Sequence, residues 1–191
     1  LIKIELPNSL KIIKYYAFRN CIKLLNIKIP KSVKSIYEKA FYNCISLKNI
    51  SFENSIDLKI IDKKVFSQCK NLEKIIIPKS VETINKSSFK KCYKLKTVIF
   101  EKNSKLKKIW QYAFAECKSL EYITLPKNLI EIEIRAFGFC NLKKVILEKD
   151  SKLEKVHPGS FSYNTNLETI NFPKKAKKYI KKIWNFHPKI L

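Results

Sequence analysis

The apolar residues of this chain fall on a fixed grid. A motif Leu-x-x-[Ile/Val]-x-[Ile/Leu/Phe] opens eight units: Leu1/Ile4/Leu6, Leu24/Ile27/Ile29, Leu47/Ile50/Phe52, Leu72/Ile75/Ile77, Leu95/Val98/Phe100, Leu120/Ile123/Leu125, Leu142/Val145/Leu147 and Leu167/Ile170/Phe172. The last two residues of each set alternate with other side chains, the period-two pattern of a strand with one buried face. A second apolar pair follows, from Leu10/Ile13 and Val33/Ile36 to Leu153/Val156, and predicts an opposite wall. Five residues beyond each pair stands a phenylalanine: Phe18, Phe41, Phe66, Phe89, Phe114, Phe137 and Phe161, at intervals of 23, 25, 23, 25, 23 and 24 residues. Self-similarity at this period marks a stacked repeat, in which no unit buries its apolar face alone. Eight parallel strands would build a sheet about 34 Å long at a spacing of about 4.8 Å.

The alternating interval has a local cause. Pro follows the strand in one class of unit (Pro7, Pro30, Pro78, Pro126, Pro173) and Glu in the other (Glu53, Glu101, Glu148). Proline fixes φ and makes the tighter turn. The Glu units add Asn54-Ser55, Asn103-Ser104 or Asp150-Ser151, whose side chains bond their own backbone across a wider turn. Two departures fall late: Cys140-Asn141-Leu142 is one residue shorter than Cys-x-x-Leu elsewhere, and Asn164 takes the cysteine position of the last unit.

The grid defines a solenoid over residues 1–173 and a different segment over 174–191. In the latter, Ala176, Tyr179, Ile180, Ile183 and Trp184 follow helical spacing opposite a lysine-rich side, which predicts a basic helix capping the last strand. The first strand is expected to be an open edge. The chain opens on Leu1 and contains no Met, so it reads as an excised or processed segment, with further repeats or a cap preceding it in the parent protein. No apolar run reaches the roughly 18 to 20 residues that span a bilayer.

The composite L-x-x-I-x-I-P-x-S-V-x-x-I-x-x-x-A-F-x-x-C-x-x-L closely resembles the BspA-like leucine-rich repeat. Val33, Ile36, Ala40, Phe41, Cys44 and Leu47 carry it in one unit; Leu129, Ile132, Ala136, Phe137 and Cys140 carry it in another. The resemblance covers Leu1 to about Pro173 and implies an α/β-type, right-handed stack of about eight parallel strands. It also implies a role in adhesion or protein binding, including extracellular matrix, at the surface of a host-associated microbe or in its secretions. This chain departs from the family where Gly often follows the second apolar pair: Tyr37, Asp62, Asn85, Trp110, Glu133 and His157 stand there instead.

Composition adds a charge question. The chain is 191 residues long, 46% hydrophobic, and carries 40 Lys+Arg against 16 Asp+Glu, a net charge of +24. Arg occurs only at Arg19 and Arg135, whereas base readout favours the rigid arginine fork. Lysine, isoleucine and asparagine abundance beside 2 Gly fits an AT-rich coding bias and a plainly solvated surface. The competing reading is a polyanion binder for glycosaminoglycan, nucleic acid or anionic membrane.

Chemistry finds little support. Cys21, Cys44, Cys69, Cys92, Cys117 and Cys140 share one position in successive units, so their side chains run parallel, which is wrong for the disulfide dihedral. They are expected to be buried free thiols. No Cys-x-x-Cys occurs, and neither His157 nor His187 has an evident ligand set. There is no Ser-His-Asp set and no Gly-rich phosphate loop, so the chain is expected to be non-enzymatic, without cofactor or metal. The outward strand columns carry the remaining information. Lys28, Lys74, Ile76, Thr97, Ile99, Tyr122, Thr124, Lys144 and Ile146 form the candidate partner-binding face, an exposed apolar stripe flanked by lysines.

Overall fold

The structure is a computed structural model that describes residues 4–54, 57–168 and 170–176. Strands of two and four residues alternate along it. The first seven are β1 (Ile12–Ile13), β2 (Asn26–Ile29), β3 (Ser35–Ile36), β4 (Asn49–Phe52), β5 (Ile60–Ile61), β6 (Lys74–Ile77) and β7 (Thr83–Ile84). The series continues with β8 (Thr97–Phe100), β9 (Lys108–Ile109), β10 (Tyr122–Leu125), β11 (Glu131–Ile132), β12 (Lys144–Leu147) and β13 (Lys155–Val156). The two-residue strands stack in the order β1-β3-β5-β7-β9-β11-β13, a parallel sheet that forms the back wall. The four-residue strands form the front, paired in parallel as β2-β4-β6-β8 and as β10-β12, with the ladder interrupted between β8 and β10. Register follows the sequence grid: Ile75 faces Val98, Ile123 faces Val145, and Ile84 faces Ile109.

Between the sheets the repeats fill one continuous core. The seven phenylalanines stack ring on ring with centroids 4.9 to 5.4 Å apart, from Phe18–Phe41 to Phe137–Phe161. Beside them runs the cysteine column, all free thiols. Each buried thiol reaches back one repeat to a phenylalanine carbonyl: Cys44 Sγ to Phe18 O at 3.0 Å, Cys69 to Phe41, Cys92 to Phe66, Cys117 to Phe89 and Cys140 to Phe114. Five cysteines of the column are buried and Cys21 is partly exposed, so the thiols serve as packing groups that also donate a weak hydrogen bond.

The convex side is built of turns. Among the described residues, helix is confined to residues 174–176. Around every phenylalanine of the stack two residues are left-handed, two positions before and two after it, as in Lys39/Asn43, Ser87/Lys91 and Arg135/Phe139. From Tyr16 to Arg135, and at Gly159, each of these sits third in a hydrogen-bonded four-residue turn: Ala40 N–H donates to Tyr37 O (3.1 Å) and Cys44 N–H to Phe41 O (3.3 Å). This is the type II arrangement that favours glycine, yet only Gly159 supplies one. Tyr37, Asp62, Asn85, Trp110, Glu133 and His157 do not have positive φ, which is why side chains are accepted where the family often has glycine. Backbone hydrogen bonds then tie each convex turn to the next, such as Phe41 N–H to Val65 O at 3.0 Å.

The opposite edge explains the Pro and Glu classes. Where a Glu unit follows a Pro unit, the first N–H after proline is not used by the turn itself, and that glutamate accepts it. Lys79 N–H donates to Glu101 Oε2 (2.8 Å) and Lys127 N–H to Glu148 Oε2 (2.9 Å). Glu53 takes the equivalent place against Pro30: the Lys28 ammonium holds its carboxyl below the ordinary range, and the Lys31 N–H adds to this. The third residue of the Pro turn bonds backward, with Ser32 Oγ on Leu10 O and Ser80 Oγ on Leu58 O. The wider Glu turns carry left-handed Asn54, Asn103 and Asp150.

At the ends the structure departs from expectation. Six front strands form among the described residues instead of eight. Ile4 to Leu6 make no strand, and residues 1–3 lie outside the described residues. At the other end Glu168 N–H still reaches Lys143 O (2.9 Å), but Phe172 N–H turns back to Ile170 O (3.0 Å) and does not pair with β12. Leu167, Ile170 and Phe172 nevertheless stay buried. Residues 174–176 form a helical turn with Ala176 fully buried; Tyr179, Ile180, Ile183, Trp184 and His187 of the expected cap lie outside the described residues.

Candidate functional site

The front sheet presents the expected columns. Alternation drives Ile75, Ile77, Val98, Ile123 and Val145 inward and leaves their neighbours in solvent. Lys74 and Ile76 on β6 lie directly beside Thr97 and Ile99 on β8, and Tyr122 and Thr124 on β10 beside Lys144 and Ile146 on β12. Ile76, Ile99, Tyr122 and Ile146 are 40% to 57% exposed. Lys28 stands apart: it pairs with Ser51 on the polar end of the sheet, and its ammonium is engaged by Glu53.

That polar end has its own character. Asn49 Nδ2 donates to Asn26 Oδ1 at 2.7 Å, and these amides with Lys28, Ser51 and Glu53 line a hollow of about 680 Å³. This hollow mixes polar groups with Ile4, Leu6, Ile27 and Pro30 and lies away from the apolar stripe. Beside the stripe runs a column that the sequence reading passed over: Lys48, Glu73, Lys96, Glu121, Lys143 and Glu168 follow the leucine of successive units with alternating charge. Lys143 Nζ and Glu121 Oε2 close to 2.8 Å. The signal was present in the residue after each leucine.

The back wall holds a cluster that sequence spacing hid, because its members come from three repeats. Glu131, Glu133 and His157 offer ligand atoms within 4.8 Å of one another, which corrects the expectation that His157 has no evident ligand set. The Lys108 ammonium already stands among them, 2.9 Å from Glu131 Oε2 and 2.8 Å from Glu133 Oε1, over the Trp110 ring at 3.9 Å. His157 Nε2 lies 2.7 Å from Glu131 Oε1. Burial works to lower the Lys108 pKa, but its bonds to Glu133 and Glu131 outweigh this and raise it. Burial would likewise raise Glu131, yet the His157 and Lys108 hydrogen bonds leave it below the ordinary carboxylate value. An internal cation thus satisfies the carboxylates, and the cluster clasps β9, β11 and β13 together.

With this geometry the chain can be compared with known proteins. Six copies of the BspA type leucine-rich repeat model match residues 1–105 and 100–186. Among solved structures, the pneumococcal vaccine antigen PcpA is 25% identical with a TM-score of 0.71 over 87% of this chain and 51% of its own. A leucine-rich repeat protein from Eubacterium ventriosum is 30% identical with a TM-score of 0.63 over 70% of this chain and 41% of its own. The leucine-rich repeat protein of T. pallidum, 21% identical with a TM-score of 0.50 over 95% of this chain and 80% of its own, shares the fold. The chain spans about half the length of the pneumococcal structure and less of the Eubacterium one. No curated protein sequence matches it. No helix among the described residues is long and apolar enough to cross a membrane. The stacked phenylalanines, the cysteine column and the six repeat matches lead to one conclusion, that the chain belongs to the BspA-type leucine-rich repeat family.

Proposed function

We propose that this chain is a non-enzymatic binding scaffold of a larger surface-exposed or secreted protein, which docks a protein partner on the second half of its front sheet. The observation that carries this reading is the solvent-facing column Ile76, Ile99 and Ile146 with Tyr122 beside it, four large apolar side chains on a parallel sheet. Strands in such sheets are commonly covered on both faces, and an apolar stripe with Lys74 and Lys144 beside it suits a partner with an apolar centre and an acidic rim. The description of the pneumococcal relative as a vaccine antigen is in keeping with exposure outside the cell. Adhesion to extracellular matrix is the form of binding this reading favours.

The test uses immobilised matrix proteins as probes and a Tyr122→Ala, Ile99→Asp double variant. Both positions face solvent, so the melting temperature should stay within a few degrees of the parent. Binding should fall by at least about tenfold, the scale of losing one or two interface anchors. Unchanged affinity in a folded double variant would remove the front stripe as the docking surface.

A further inference from the structure

We infer that the convex turns around Phe66 and Phe89 form a second, separate surface that binds a sulfated polysaccharide. Six lysines converge there from two adjacent repeats: Lys63 and Lys64 in one turn, Lys86, Lys90 and Lys91 in the next, and Lys94 beyond Cys92. The backbone holds the two turns side by side. Lys64 N–H donates to Lys86 O at 3.0 Å, and Gln68 N–H to Lys90 O at 2.8 Å. Lys63, Lys86 and Lys94 are exposed, and the other three are half-exposed.

Two carboxylates of these turns and the next, Glu116 and Asp62, bear on the six ammonium groups, and Glu38 of the preceding turn is engaged by Lys39. Glu116 lies 3.5 Å from Lys90 Nζ and 4.0 Å from Lys91 Nζ. Asp62 is committed to the backbone of Lys63 (2.7 Å) and to Asn85 Nδ2 (3.1 Å). Among the described residues no acid forms an ion pair with Lys63, Lys64, Lys86 or Lys94, whereas some lysines of the strands and edges are matched, as in Lys143–Glu121, Lys107–Glu82 and Lys108–Glu131. Uncompensated like charge works against the folded state and attracts a polyanion that relieves it.

The chemistry of the patch selects the class of anion. Single-stranded nucleic acid binders offer open aromatic faces for stacking. Here the nearby Tyr112 and Tyr93 rings lie under the Lys90 and Lys118 ammonium groups and are only half-exposed. Base readout favours arginine, and Arg19 and Arg135 sit in other repeats. A membrane surface would be gripped by exposed aliphatic or aromatic side chains, and none of the exposed large hydrophobics lies in these two turns. Flexible lysine point charges without stacking or apolar anchors suit a chain of sulfate groups.

The probe is a heparin oligosaccharide, titrated against the intact chain at about 50 and about 200 mM salt, with affinity expected to fall steeply between them. A Lys63→Glu, Lys86→Glu, Lys94→Glu variant should lose at least about tenfold in affinity at low salt. A Lys23→Glu, Lys102→Glu, Lys149→Glu variant carries the same charge change on other exposed positions and should stay within about twofold. Thermal melts show that both variants fold. Equal losses in the two variants, or no loss in the first, overturn the site. Duplex DNA or anionic vesicles binding as tightly as heparin through the same lysines overturn the assignment to a polysaccharide.

Discussion

A single asparagine repairs the one irregular repeat. In the other units the leucine that opens each strand bonds three residues back, as Leu47 N–H does to Cys44 O at 3.0 Å. The shortened Cys140-Asn141-Leu142 segment removes that partner, and Asn164 Oδ1 from the next unit accepts the Leu142 N–H at 2.8 Å. The Asn164 amide nitrogen takes over the thiol's role as well, donating to Phe137 O at 2.9 Å and Phe161 O at 2.8 Å. Asn164→Cys would restore the family pattern and still destabilise the fold by about 1 to 3 kcal/mol, because it strands a buried N–H. Urea unfolding measures this, and a neutral or stabilising result would break the link. Both departures are visible in the sequence as separate anomalies. Their coupling is not, since it depends on a side chain reaching across one repeat spacing.

At the scale of one turn, the Glu carboxylates act as clips on the Pro turns that precede them. Glu101→Ala should free the Lys79 N–H and speed its hydrogen exchange, while costing only about 0.5 to 1.5 kcal/mol because the site is open to water. Exchange at Lys127, clipped by Glu148, should not change; exchange rising at both amides or at neither would contradict the one-to-one pairing. The sequence showed that Pro and Glu alternate and that the turns differ in width. It could not show that the two classes bond to each other. Front and back strands were legible because burial imposes period two on Ile and Val. The convex turns were less so, because residues such as Lys39 and Glu116 carry the left-handed positions that glycine would have announced.

Over the whole molecule the buried thiols titrate as a set. Burial raises Cys69, Cys92 and Cys117 above their ordinary range and pushes Cys44 up to about 12. Unfolded thiols ionise near pH 8.5. Their contribution to stability is therefore intact below about pH 8.5 and is lost as pH rises, at up to about 1.4 kcal/mol per pH unit for each thiol. Urea midpoints should hold between about pH 7 and 8 and fall between about 8.5 and 9.5, where lysine, with its midpoint near 10.4, is still largely protonated. Cys69→Ala with Cys92→Ala should flatten that slope, and an unchanged slope would assign it to other groups. The stack was readable at this scale from the sequence. The Glu131, Lys108 and His157 clasp was not, because neighbours in a solenoid lie a full repeat apart in the chain.

The Pro and Glu clips also constrain how such a molecule can lengthen or shorten. A Pro unit presents a backbone donor that the following Glu unit receives, so the closed module is the pair. Removing one unit from the middle would set two turns of the same class against each other, with an amide unclaimed or a carboxylate idle. Gene duplication or deletion in whole pairs leaves every Pro–Glu junction matched; the Pro7 unit, which abuts the Pro30 unit, stands outside the pairs. From the Pro30 unit onward, copy number should therefore change in steps of two, and a designer extending the array should splice between a Glu unit and the next Pro unit.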